Sequence, residues 1–386
     1  MISIENFYWC IYENLLRSTG FCSAYYFPFG TRDAVIKETF DNRPHTAHGH
    51  VLHFDQEPMY TSDEHHLFQA SNFNRIKYPS LLANSEHSRF KTEFCKRHDL
   101  LDWYYFFHGF AALDWYRDAA HITTNYPIIN KFLCLNHLVR SKRAHRMALL
   151  SKLIEHDLIA QGKISFFATH QDCVDEICSE QSHLTQLDKD LVVTHLLKTV
   201  LPIYADSRLV QGSWSANFGL NEYVLRQQSF INVVTESVFF DAKLHLTEKI
   251  FQPIVTQRPF LLVAAPGNLQ YLKSYGFQTF STWIDESYDE ESNHSVRLNM
   301  IIKELKKLCD MNIVELNKLL DDMQSVLLYN KRHFFGEFKT RLVNELVDNF
   351  DDSIKIWNNG RLRRQWPRLH NLDMVKNRLL NDRSHL

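Results

Sequence analysis

The chain has few of the features that announce a function directly. Its 386 residues include seven cysteines, at positions 10, 22, 95, 134, 173, 178 and 309. They form neither a Cys-x-x-Cys pair nor a regular framework, and their number is odd. Cys173 and Cys178, the closest pair, stand too isolated for a zinc site, so free thiols in a reducing cytoplasm are expected. No apolar run reaches the roughly 18 residues that a membrane helix needs. The opening MISIENFYWCIYENLLRSTG is aromatic but interrupted by Glu5, Asn6, Glu13 and Asn14. With no basic start and no continuous apolar stretch, it does not read as a signal peptide.

Charge of one sign is lacking too. A formal net charge of −2 sets up no field toward nucleic acid or a membrane, which argues against a nucleic-acid partner. There is no internal repeat and no low-complexity segment. The acidic stretch at 285–291 has no Asp-x-Asp beside it. The histidines at 45, 48 and 50 and the pair His65-His66 lack metal-ligand spacing, so no metal or other cofactor is expected. The basic tail from Arg361 reads as an exposed basic helix.

What is present is a recurring unit of short apolar run, polar loop and helix. VLHF at 51–54 reads as a buried strand ending in Asp55, Gln56, Glu57 and Pro58. SLLAN leads through Ser85 and Glu86 into a helical SRFKTEFCKRH, and DWYYFFHGF reads as an aromatic strand running into His108 and Gly109. KFLCLNHL and KISFFAT are further strands, separated by the amphipathic helix pattern of SKRAHRMALLSKLIEHDLI. From 229 the order tightens into SFINVVTES, LTEKIFQPIVTQ, PFLLVAAPG and NLQYLKSYG, a βαβα run, and 294–350 is largely helical. This alternation predicts α/β domains with parallel sheets. At this length two domains are the expectation. The boundaries read as 1–129, 130–330 and a helical extension, 331–386, that packs back on the core.

In open α/β sheets ligands lie beyond the carboxyl ends of strands, where helix N-termini offer unpaired N–H groups to anions. LTEKIF puts Thr247 at an N-cap with Glu248 and Lys249 in the first turn. A cation there opposes the helix dipole, a conflict that a bound phosphate would remove. Glu248 is placed to accept from ribose hydroxyls; the plainer account has both side chains merely exposed. In the helix after KFLCLNHL, Arg140, Lys142, Arg143 and Arg146 supply cations suited to bidentate phosphate contacts. Arg143 and Arg146, three apart, are expected on one helix face, against the alternative of a solvated basic face.

FINVVTES, then LTEKIF, then a strand ending at Pro266-Gly267, together resemble the donor-binding signature of glycosyltransferase family 10, the α1,3-fucosyltransferases. That resemblance, over about 150 residues, implies a GT-B architecture: two Rossmann-like domains facing across a cleft. It implies that Glu248 holds the donor ribose and Lys249 the diphosphate, that Glu236 matches the family's upstream glutamate, and that an arginine of the 140–146 segment contacts the diphosphate. Leu246 stands where the family carries an aromatic. VLHFDQEP resembles the family's strand ending in a glutamate shortly before a proline, with Glu57 at the matching position. The implied reaction is an inverting sugar transfer from a nucleotide sugar, GDP-fucose by resemblance, to a hydroxyl of a glycan acceptor. A carboxylate must then take the acceptor proton; Glu57 is first in line, with Asp55 and Glu86 as alternatives. Two other functions stay open at this point: a GT-B transferase acting on another acceptor such as a nucleic-acid base, and a non-catalytic sugar- or nucleotide-binding relative.

Overall fold

The computed structural model describes residues 4, 7–16, 21–26, 49–61, 80–122, 125–205, 220–360 and 372–381. The tail arginines from Arg361 to Arg368, His45, His48 and the pair His65-His66 lie outside them. The chain divides into two compact units: Met1–Asp114 together with Gly336–Leu386, and Trp115–Phe335. Each contains one four-stranded sheet whose neighbouring strands all run parallel, as the α/β pattern requires. Among the described residues no helix is long and apolar enough to cross a membrane.

In the first unit the sheet order is sequential: β1 (Phe21–Tyr26), β2 (Gly49–His53), β3 (Ser80–Asn84) and β4 (Leu101–Tyr104). Between β3 and β4 runs the helix Arg89–Arg97, started by Ser88, whose hydroxyl accepts the Lys91 N–H at 3.0 Å. Leu52, Phe54, Leu82, Phe94 and Leu100 form one apolar cluster beneath this helix. The long helix Glu337–Gly360 belongs to this unit alone. It is pinned to β4 where the Trp103 indole N–H donates to the Leu346 carbonyl and the Asn349 amide donates to that of Tyr104, both at 2.9 Å. The run DWYYFFHGF does not stay extended: it ends β4 and enters the helix Phe107–Trp115. Eight of that helix's nine residues are buried, so it carries no amphipathic period that would mark it as helical. It approaches the helix Glu337–Gly360 so closely that a Cβ on Gly109 would lie 2.9 Å from Leu342.

The second unit contains β5 (Asn130–Asn136), β6 (Gly162–Phe166), β7 (Ser229–Thr235) and β8 (Phe260–Val263), in the spatial order β8-β7-β5-β6. All residues of β7 and β8 are buried, which accounts for their unbroken apolar runs. After β6 come the helices His170–Cys178 and Gln186–Thr194. Each opens with a capping box, Thr169 with Asp172 and Thr185 with Asp188. Residues 115–129 go with this unit, ahead of the boundary read at 129/130. The Tyr126 N–H donates to the Gln227 side chain, the Ile129 N–H to the Gln228 carbonyl, and Arg258 donates to the Tyr126 carbonyl.

Candidate functional site

The strand order of the second unit marks a place for a ligand. The chain enters the sheet at β5, adds β6 on one side, then crosses to the other side for β7 and β8. The carboxyl ends of β5 and β7 therefore form the switch point of the sheet, the place at which open α/β sheets bind ligands. The segment after β5 carries Arg143 and Arg146; the one after β7 carries Glu236 and Ser237.

The two arginines do not share a helix face. Ser141 adopts a φ of 57°, and a 3₁₀ turn, Ser141–Arg143, precedes the helix His145–Glu155. Arg146, in the helix, is 3% exposed. Its guanidinium donates to the carbonyls of Leu138 at 2.6 Å, Thr235 at 2.9 Å and Glu236 at 3.3 Å, tying the ends of β5 and β7 together. Arg143, half-buried in the preceding turn, reaches the Ser237 hydroxyl at 3.5 Å. Of the two, Arg143 is the cation that keeps exposed surface at these strand ends, the mouth of the candidate site, and Arg146 is buried beneath as its floor. Nor is the helix amphipathic: His145 through Leu153 are all buried.

Thr247 caps a 3₁₀ turn, Glu248–Ile250, that runs into the short helix Phe251–Val255. Glu236 is fully buried, and its carboxylate accepts both the Thr247 N–H at 3.2 Å and the Thr247 hydroxyl at 2.5 Å. The Lys249 ammonium donates to Thr247 Oγ1 at 3.2 Å and to Glu248 Oε1 at 2.9 Å. Burial pushes the Glu236 carboxyl above the usual range, opposed chiefly by the charge of Lys249. Thus Glu236, Thr247, Glu248 and Lys249, dispersed over fourteen positions of sequence, meet in one hydrogen-bonded cluster beyond β7. The Lys249 side chain is 33% exposed and that of Glu248 6%, so the lysine is the accessible member. Its place in the first turn needs no phosphate to explain it: the helical segment is short, its dipole small, and Glu248 supplies the counter-charge.

Three neighbouring groups escaped the sequence reading. His145 is fully buried, stacked on Phe239 at 4.7 Å, and held neutral because burial and then Arg146, Arg143 and Arg297 push its pKa well below the ordinary value. Arg226, buried beneath the Phe251–Val255 helix, donates to Gln252 and to Asn232 Oδ1, the latter at 2.8 Å. Ser237, the contact of Arg143, follows the motif glutamate. Cations flanking His145 were visible in SKRAHRM and Ser237 closes the quoted FINVVTES, whereas Arg226 carried no local signal. In the acidic stretch, Asp289 accepts the N–H groups of Leu269 and Gln270 at 2.9 and 3.1 Å and so caps the helix Asn268–Ser274.

The first unit holds a second polar cluster, just beyond β2. Asp55 is fully buried and accepts hydroxyl protons from Tyr8, at 2.8 Å, and Tyr105. Gln56 donates to the Tyr8 oxygen at 2.8 Å, and His108 donates through Nε2 to the Gln56 carbonyl at 2.9 Å. Burial raises the Asp55 carboxyl to about 6, against the lowering effect of the two tyrosines; Glu57 is not among the causes. Glu57 itself is half-buried, two residues further along the same loop. Glu86 is fully buried, and its carboxylate accepts the Met59 N–H at 2.7 Å and the Ser88 hydroxyl, so it clamps the loop that carries Glu57. Of Asp55, Glu57 and Glu86, Glu57 is the one with exposed surface. Among the described residues no group of three metal-ligating side chains occurs, and Cys10, Cys95, Cys134, Cys173, Cys178 and Cys309 are free thiols.

No protein-family model matches the chain, and no curated protein does. Among solved structures the chain is similar to a mutant of S. aureus TarM in complex with Fondaparinux, alpha-GlcNAc-glycerol and UDP, with 9% identity and a TM-score of 0.33. The match covers 76% of this chain and 51% of that one, so the chain spans about half the length of its structural neighbour. A likeness of that size assigns neither an activity nor a substrate here.

Proposed function

We propose that the chain is a nucleotide-sugar-dependent glycosyltransferase of the GT-B type, whose second unit holds the donor diphosphate at the switch point beyond β5 and β7. One observation carries this reading. The motif residues Glu236, Thr247, Glu248 and Lys249 converge at a topological switch point, with Arg143 on the neighbouring segment. Lys249 and Arg143 are the cations that would oppose the charge growing on the departing nucleoside diphosphate as its bond to the sugar's C1 breaks. In this reading they do so without a metal ion. Glu248 exchanges its contact with Lys249 for ribose hydroxyls. The first unit contributes the proton acceptor: Glu57 takes the acceptor hydroxyl proton as that oxygen attacks C1, with inversion. The motif resemblance favours GDP-fucose as donor and a glycan hydroxyl as acceptor, and the buried free thiols suit a reducing, cytoplasmic setting.

The test is a thermal-shift screen against UDP, GDP and their sugar conjugates. A ligand present at 100 times its Kd adds about 2.7 kcal/mol to stability, a shift readily measured. Absence of any shift would remove the donor site. Among binders, turnover lost in Glu57→Gln with nucleotide affinity kept supports the assigned base. Nucleotide binding without turnover on any acceptor would instead leave a binding protein.

A further inference from the structure

We propose that Glu236 and Thr247 never touch the donor but are positioning residues, acting through one another to hold the Lys249 ammonium for an incoming diphosphate. The inference rests on the donor-site reading above. Glu236 is 0% and Thr247 2% exposed, so neither side chain offers a contact surface. Their bonding has a fixed polarity. A carboxylate with two accepted bonds, from Thr247 N–H at 3.2 Å and Thr247 Oγ1–H at 2.5 Å, acts purely as an acceptor. The threonine hydroxyl has a single proton and gives it to Glu236. Only its lone pairs are then left, and they accept the Lys249 backbone N–H at 3.4 Å and the Lys249 ammonium at 3.2 Å. Glu236 thereby turns the Thr247 oxygen into an obligate acceptor facing the lysine.

With Glu248 on a second ammonium N–H at 2.9 Å, the third N–H has no partner among the described residues, and the side chain is 33% exposed. A lysine tethered at its tip gives up less rotamer freedom when a phosphate arrives than an untethered one. The chain Glu236, Thr247, Lys249 is therefore a preorganising device whose output is one directed N–H.

Calorimetric titration of the full chain with inorganic pyrophosphate, UDP and GDP tests this. Thr247→Val, which keeps the shape and removes the hydroxyl, is expected to weaken pyrophosphate binding roughly tenfold or more. Thr247→Ser restores it. Glu236→Gln weakens it likewise, because an amide N–H facing the hydroxyl reverses the polarity. In a Lys249→Ala background, Thr247→Val adds no further loss, since the two act through the same ammonium. Should Thr247→Val fail to fold, Glu236→Gln carries the same cycle. Unchanged affinity in these variants, or an equal loss with and without Lys249, overturns the inference and leaves the donor site standing. A wild-type chain that binds neither pyrophosphate nor either nucleotide overturns the donor site itself and the inference with it.

Discussion

Asp55 offers the sharpest physical test of the first unit. Its carboxyl is raised from 3.8 to about 6 because it is fully buried, with Tyr8 and Tyr105 supplying partial compensation. The native state therefore keeps the proton over a range in which the unfolded chain has already lost it. Below about pH 3 both states are protonated and the group has no effect. Between about pH 3 and 7 the native state binds more protons, so stability falls as pH rises; above that range the full penalty is in place. A shift of about two units corresponds to about 3 kcal/mol.

Asp55→Asn cannot ionise, so it lacks this slope. Its amide also changes the bonding to the two tyrosine hydroxyls, but that offset is independent of pH and cancels in the comparison. Urea unfolding is to be followed by fluorescence, with the buried Trp103 reporting on the same unit. The variant is expected to gain about 3 kcal/mol relative to wild type on going from about pH 3 to pH 7. Parallel stability curves for the two proteins would refute the reasoning. So would a wild type that gains on the variant as pH rises, since that would mean a carboxyl held below its ordinary range.

Other substitutions separate floor from mouth in the second unit. Gly162, opposite Phe132 in the β5–β6 register, has extended backbone, yet a Cβ there would lie 2.5 Å from the ring. Gly162→Ala should thus lose about 1–3 kcal/mol by urea titration, where an unhindered site would gain; a neutral result refutes the close contact, and Phe132→Leu should recover much of the loss. Arg146→Met removes the donor to the carbonyls of Leu138, Thr235 and Glu236 and should cost about 3 kcal/mol in unfolding free energy. Arg143→Met should change stability by less than about 0.5 kcal/mol while weakening GDP or UDP affinity about tenfold. If the two variants exchange these behaviours, the assignment of floor and mouth is wrong.

The strand ends and the Thr247 cap were legible because they depend on local chemistry. An apolar run stopped by a polar loop marks the end of a buried parallel strand, and a threonine ahead of a helical stretch marks an N-cap. The helix Phe107–Trp115 was not legible, because a helix buried on nearly every side shows no 3.6-residue period. The unit boundary failed for a different reason. What attaches residues 115–129 to the second unit are bonds from Tyr126 and Ile129 to Gln227 and Gln228, partners about a hundred positions away.

Arg143 and Arg146 show how a correct residue list can hide a wrong geometry. Spacing by three implies a shared face only if the helix is continuous through both positions. Here the left-handed backbone at Ser141 and the 3₁₀ turn end one conformation at Arg143 and begin another at His145. One guanidinium is thereby turned into the sheet and the other toward Ser237. The awkward lysine at the Thr247 turn yields to the same kind of argument. A dipole conflict requires a helix long enough to have a dipole, and this one is a single 3₁₀ turn leading into the five-residue segment Phe251–Val255. What makes Lys249 unusual is its anchoring: an ammonium held by a threonine oxygen that a buried glutamate has committed to accepting. That feature depends on proton count and on a partner eleven residues upstream of Thr247, and no propensity scale registers either.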